Sequence, residues 1–97
     1  MATGTIDRIS SSLPRISLSN MTGNTQAELL TALNADITTI PLGASAVVCG
    51  DSNNANRCLL LAIRLPNDVG RALCISAYAA LNNIFLSLIS GVWSVNS

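Results

Sequence analysis

Two apolar runs in the second half of the chain show almost no alternation of apolar and polar residues. Residues 58–63 read Cys-Leu-Leu-Leu-Ala-Ile, and residues 84–89 read Ile-Phe-Leu-Ser-Leu-Ile. A strand with one wet face alternates apolar and polar side chains, so both faces of these strands are expected to need cover. Turn-forming residues separate the apolar runs, and we predict strands at residues 44–49, 58–65, 72–81 and 84–89. This spacing is typical of an antiparallel meander.

One short helix is predicted before the strands, over residues 25–33. Thr25 and Glu28 have the spacing of a capping box, in which each residue satisfies a free N–H of the first turn. An apolar stripe follows at Leu29, Leu30 and Leu33, and Asn34 is a reasonable end. A helix of two or three turns is marginal alone, so we expect it to pack on the sheet.

The remaining segments are interpreted as an arm and as turns. Residues 1–24 are rich in Ser and Thr and are predicted to form an extended N-terminal arm, with a short strand near Ile16. The domain proper is then residues 25–97. Asn82 and Asn83 are predicted to form a two-residue hairpin turn, because Asn tolerates positive φ better than most residues.

Composition narrows the possible functions. The 97 residues suffice for one domain, and only 10% are charged against about 25% in a typical protein. Five Arg balance five acidic residues, and the chain has no Lys and no His. A basic nucleic-acid surface and the commonest general base are therefore missing. We expect no enzyme activity, no cofactor and no nucleic-acid partner.

A membrane segment is the main competing interpretation of the low charge. Residues 72–93 carry no charge, and these 22 residues could span a bilayer. Two amides, those of Asn82 and Asn83, would then lie unpaired in hydrocarbon, which is costly. The preceding apolar run carries Arg64 and ends at Pro66. We therefore expect self-association rather than membrane insertion, with a membrane-inserting hairpin as an alternative.

The three cysteines each lie among apolar residues. Cys49, Cys58 and Cys74 include no CxxC pair, so a zinc site is not indicated. We predict buried free thiols, which suit assembly in a reducing cytoplasm. A Cys49–Cys58 bridge across a hairpin is the alternative.

Polar loops offer the candidate binding residues. Amides and a guanidinium suit hydroxyl-rich or anionic ligands, and the alternative interpretation is an ordinary solvated loop. The three aromatic residues, Tyr78, Phe85 and Trp93, are expected in the core or in subunit contacts, with a carbohydrate-stacking role as the alternative. The predicted receptor-contacting residues are Asp51, Asn53, Asn54, Arg57, Asn67, Asp68, Asn82 and Asn83.

The chain resembles a known family from about residue 25 to its end. The relevant residues are the helix at 25–33, the Pro41–Gly43 opening, and Gly91, Trp93 and Ser94 in the ending Gly-Val-Trp-Ser. These features are similar to the small C-terminal β domains of bacteriophage tail fibres and tailspikes. The expected fold is mainly β, a small antiparallel meander or sandwich with one short N-terminal helix.

The resemblance implies an intertwined homotrimeric fibre tip in a virion assembled in the host cytoplasm. The implied partners are a host surface glycan or outer-membrane protein and other virion proteins. A structural decoration or connector protein of the virion is the alternative. The expected contacts between copies are Leu59, Leu61, Ile63, Leu86, Leu88 and Trp93.

Overall fold

Six strands and one short helix make up the part of the chain that the computed structural model describes, residues 13–96. The prediction of a mainly β fold with one short helix is confirmed. Residues 1–12 of the predicted arm lie outside the described residues. The elements are β1 (Arg15–Leu18), α1 (Gln26–Ala35), a 3-10 turn (Ile37–Thr39), β2 (Gly43–Cys49), β3 (Cys58–Leu65), β4 (Val69–Ile75), β5 (Ile84–Ile89) and β6 (Val92–Val95).

The strands form one sheet in the order β1-β2-β3-β4-β5-β6. Strands β2 to β6 are antiparallel neighbours, as expected for a meander. Strand β1 adds a parallel edge beside β2, with Ile16 opposite Val47. Part of the predicted arm is therefore a strand of the domain, because Leu18 and Met21 are buried in its core.

The predicted hairpin turn at Asn82 and Asn83 is wrong. Strand β4 ends at Ile75, six residues before the predicted end, and residues 76–83 leave the sheet. This connection is long because Leu81 turns inward and is fully buried. The tight two-residue turn lies instead at Ser90 and Gly91, whose φ values of 51° and 81° suit a hairpin between paired Ile89 and Val92.

The helix begins as the capping residues predict. The Glu28 N–H donates to Thr25 Oγ1 at 3.3 Å, and the Thr25 hydroxyl donates to Glu28 Oε1 at 2.8 Å. A side chain at Gly23 would overlap the Glu28 carboxylate, so glycine leaves room for the cap. Leu29, Ala32 and Leu33 are buried against the sheet.

The two faces of the sheet have different surroundings. The inner face packs against α1, and its buried residues include Val47, Leu60, Leu86, Leu88 and Trp93. The opposite face, which we call the outer face, has no covering element among residues 13–96. Its apolar side chains are Ala44, Ala46, Val48, Leu59, Leu61, Ile63, Leu65, Val69, Leu73, Ile75, Phe85, Ile89 and Val92. The missing alternation in β3 and β5 thus corresponds to a sheet that is apolar on both faces.

The three cysteines are free and buried on the inner face. Cys49 and Cys58 are direct neighbours across β2 and β3, as the alternative disulfide would require, but both are thiols. Hydrogen bonding to the Cys58 thiol, together with burial, raises the pKa of Cys49 and of Cys74. Both thiols therefore stay protonated at neutral pH.

No helix within residues 13–96 is long and apolar enough to cross a membrane. The uncharged segment 72–93 forms most of β4, the connection after it, β5 and the start of β6.

Candidate interaction surfaces

Six of the eight predicted receptor-contacting residues lie at one end of the sheet. Residues 50–57 connect β2 to β3 and residues 76–83 connect β4 to β5, so both loops emerge at the same end. We call these two loops the polar end. Asn54 Nδ2 donates to the Tyr78 hydroxyl at 2.7 Å, and the Ser76 hydroxyl donates to the Arg57 carbonyl at 2.6 Å. These bonds join the two loops into one surface.

Asp51 organises the first loop from within. Its Oδ1 accepts from the backbone N–H groups of Asn53 and Asn54, both at 3.0 Å. The bond from the Asn54 N–H is the main cause that holds the pKa of Asp51 below its usual range, and the nearby Arg57 contributes. The carboxylate therefore serves the loop itself, as Asp residues in turns commonly do.

Arg57 is also committed to internal contacts. Its Nη1 donates to Asn24 Oδ1 at 2.6 Å, and its Nη2 pairs with Asp51 Oδ1 at 3.2 Å. Only 10% of the Arg57 side chain is exposed. The guanidinium thus ties the loop to the segment before α1, a link that the sequence alone did not reveal.

The exposed polar groups are fewer than the sequence predicted. The side chains of Asn53, Asn82 and Asn83 are exposed, whereas Asp51, Asn54 and Arg57 are half-buried and bonded within the polar end. Asn82 Oδ1 accepts from the Ser76 N–H at 3.4 Å, so this bond uses the side-chain oxygen of Asn82 and not its NH2 group. Asn56, which was not among the predicted residues, is exposed here as well, so a ligand at this end would meet four exposed amides first.

Asn67 and Asp68 lie at the opposite end of the sheet, in the turn between β3 and β4. Both have positive φ, 72° and 54°. Asp68 pairs with Arg64 at 3.0 Å, and its carbonyl accepts from the Gly91 N–H at 3.1 Å. These residues join two neighbouring turns, and they cannot contribute to the same binding surface as the polar end.

The outer face is the second candidate surface. Leu61 and Ile63, two of the predicted contacts between copies, are each 43% exposed on it, and Leu59 is half-buried there. Leu86, Leu88 and Trp93, also predicted as contacts between copies, lie on the inner face, where they are 1% exposed or less. The more exposed side chains of the outer face include Phe85, which was expected in the core or in subunit contacts, and Ile89 and Val92, which sequence reasoning missed.

A shallow groove of about 450 Å³ crosses the middle of the outer face. Leu61, Leu73 and Phe85 line its floor, and Leu13 lies at its edge. Arg71 is the one charged residue in the lining, and no carboxylate lines the groove. The groove is therefore apolar with a single positive charge.

The described residues hold no cluster of three or more His, Cys, Asp and Glu side chains placed to bind a metal ion. The two surfaces can bind partners through apolar contact and through amide hydrogen bonds. In comparisons with protein-family models, with curated proteins and with solved structures, nothing matches this chain.

Proposed function

We propose that this protein is a non-catalytic component of a bacteriophage fibre or similar virion appendage. Copies associate through the outer face, and the polar end contacts the host surface. The sequence resemblance to fibre-tip domains suggests a virion protein. The two surfaces suggest that one contacts other copies and the other contacts the host.

The exposed apolar outer face is the observation that carries this proposal. Its large apolar side chains are well exposed, including Phe85 at 57%, Ile89 at 64% and Val92 at 57%. Six strands spaced by about 4.8 Å, with about six residues each, give a face on the order of 500 Å² in projection. An apolar patch of this size is often functional, and it is somewhat smaller than the roughly 800 Å² that each partner contributes to a standard interface.

Light scattering on a sizing column tests the assembly step. The wild-type chain is expected near 30 kDa, three times its 10.1 kDa, if the copies form the trimer that the resemblance implies. Ile89→Gln combined with Val92→Gln should shift the protein toward 10 kDa, because both side chains are exposed on the outer face. Asn53→Gln with Asn82→Gln is the matched control and should leave the mass unchanged. A wild-type monomer at all concentrations would contradict the assembly step.

Host attachment is tested with the exposed amides. Asn53, Asn56, Asn82 and Asn83 are exposed, and Asn83 has a φ of 60° that glycine adopts without strain. Replacing the first three by Ala and Asn83 by Gly should reduce binding to host cells without changing the circular dichroism spectrum. Changing Arg57 instead would disturb the loop, so Arg57 variants cannot separate binding from folding. Unchanged binding of the fourfold variant would exclude these amides as the attachment surface.

One observation favours a purely structural role in the virion as a second candidate. Asp51, Asn54 and Arg57 satisfy one another or their own backbone, so part of the polar end is already used inside the molecule. A connector or decoration protein would bind purified virions lacking this protein but would not bind host cells. Measuring both kinds of binding with the same labelled protein separates the two functions.

A further inference from the structure

Arg71 lies on the outer face without an acidic partner among residues 13–96. The ion pairs of this part of the chain join Arg57 to Asp51 and Arg64 to Asp68. The remaining described acidic residues, Glu28 and Asp36, act at the starts of α1 and the 3-10 turn. Arg71 therefore carries a positive charge in an otherwise apolar groove.

The remaining acidic side chain of the sequence is Asp7, in residues 1–12. This segment joins the described structure at Leu13, which is itself part of the groove lining. The next residue, Pro14, is held at the edge of the sheet, because its carbonyl accepts from the Ala46 N–H at 2.8 Å. The chain therefore reaches the described structure at the groove.

The distances allow Asp7 to reach Arg71. Six residues separate Asp7 from Leu13, and an extended chain of that length spans up to about 20 Å. Arg71 is on β4, two strands from Ala44 on β2, which is about 10 Å across the sheet. In an extended segment Leu13, Ile9 and Asp7 share one side, because side chains alternate with a period of two.

We propose that residues 1–12 dock in the groove of their own chain, with Ile9 on Leu61 and Phe85 and with Asp7 paired to Arg71. A second copy fits this groove less well. Among the described residues the outer face carries no carboxylate, so a second copy would bring no acidic partner for Arg71 from this face, whereas Asp7 supplies one. The proposal concerns contact within one chain and does not depend on self-association. Ile75, Ile89 and Val92, which do not line the groove, stay free for contact between copies.

Limited proteolysis of the full chain tests this docking, because Arg8 provides a trypsin site inside the segment. Cleavage after Arg8 should be at least about tenfold slower in the folded chain than in a free peptide of residues 1–14, since docked chain must open before it is cut. Arg71→Gln should speed this cleavage about two- to fivefold, the range that fits a partly exposed ion pair. Asp7→Asn should speed the cleavage by a similar factor, when the folded variant is compared with a free peptide that carries the same substitution.

Arg15→Gln is the matched control, because Arg15 is an exposed arginine on the neighbouring edge strand and outside the groove lining. It should leave the cleavage rate after Arg8 unchanged, and circular dichroism checks that each variant folds. The proposal is overturned if the folded chain is cut as fast as the peptide, or if Arg71→Gln and Arg15→Gln act alike. Protection that rises with protein concentration would place the segment on a second copy and would also overturn it. Light scattering measures association between copies separately. Failure of the docking proposal and failure of the assembly step can therefore be distinguished.

Discussion

The side-chain amide of Asn34 satisfies the backbone N–H and carbonyl of Trp93 at the open edge of the sheet. The Trp93 backbone N–H donates to Asn34 Oδ1 at 2.7 Å, and Asn34 Nδ2 donates to the Trp93 carbonyl at 3.0 Å. Among residues 13–96, no further strand lies beside β6. The end of α1 thus supplies the two bonds that a seventh strand would otherwise make.

Asn34→Ala should therefore destabilise the domain by about 1–3 kcal/mol, because two backbone groups lose their partners. Urea denaturation followed by Trp93 fluorescence measures the change. Asn53→Ala is the control, since it removes an exposed amide and should change the free energy of unfolding by less than about 0.5 kcal/mol. Equal effects of the two substitutions would contradict the role of Asn34.

Leu60 and Leu61 are adjacent in sequence but face opposite sides of the sheet. Leu60 is fully buried on the inner face, and Leu61 is 43% exposed on the outer face. Leu60→Ala should cost about 2–5 kcal/mol of unfolding free energy, as large-to-small core substitutions do. Leu61→Ala should cost less than half as much under conditions where the protein is monomeric. Equal losses for the two variants would contradict the assignment of Leu60 to the core and of Leu61 to the more accessible face.

The turn at Ser90 and Gly91 uses left-handed backbone at both positions, with φ of 51° and 81°. Gly91→Ala should destabilise the protein by about 1 kcal/mol, because a Cβ is strained there. Ser90→Gly should be neutral or slightly stabilising, because relief of strain offsets the greater entropy of an unfolded glycine. Thermal unfolding of the two variants gives the comparison, and a loss of stability for Ser90→Gly would contradict it.

Asp51 and Asp36 make stability depend on pH in the acid range. The Asn54 N–H lowers the pKa of Asp51, with a further contribution from Arg57, and hydrogen bonds from Thr38 lower the pKa of Asp36. A lowered folded-state pKa adds stability above the unfolded value, near 3.9 for Asp, and this stability is lost as the pH falls through the folded value.

The advantage of the wild-type chain over Asp51→Asn should therefore shrink as the pH falls from about 5 to below 3. Urea unfolding at several pH values measures it, and Asn53→Ala should differ from wild type by the same amount at each pH. A difference that grows in acid would have the wrong sign.

The three thiols should be nearly unreactive in the folded protein. Cys49 and Cys74 are fully buried and Cys58 is 5% exposed, so a reagent in solution reaches none of them until the protein opens. Labelling by a thiol reagent should follow the unfolding reaction, with all three cysteines reacting in denaturant. Rapid labelling of one cysteine in native buffer would show local opening.

Local signals predicted much of the fold. The Thr25 and Glu28 cap, the helix and the bounds of β3 and β5 follow from capping residues, apolar runs and flanking turn residues. These features depend on neighbours within a few residues, which is the range over which sequence patterns act. The same patterns misplaced the end of β4 and the tight turn, because residues 76–81 leave the sheet with Leu81 buried, and Asn82 and Asn83 end a longer turn.

The candidate surfaces were predicted less completely. The loop at residues 50–57 was identified from its composition, whereas residues 76–81 of the second loop were predicted as strand. The internal roles of Asp51 and Arg57 depend on contacts with Asn54 and Asn24 that only the folded chain creates. Asn67 and Asp68 were grouped with these loops, and the strand order separates them to the other end of the sheet.

The sequence by itself determined that both faces of the sheet are apolar, that charge is scarce and that one short helix is available as cover. Which face the helix covers was decided only by the tertiary structure. In an apolar run without alternation, either set of alternate residues can point inward, so Leu60 and Leu61, or Phe85 and Leu86, are equivalent until packing distinguishes them. Docking of α1 on β6, where Asn34 bonds to Trp93, selects Leu60 and Leu86 for the core and leaves Leu61 and Phe85 on the outer face.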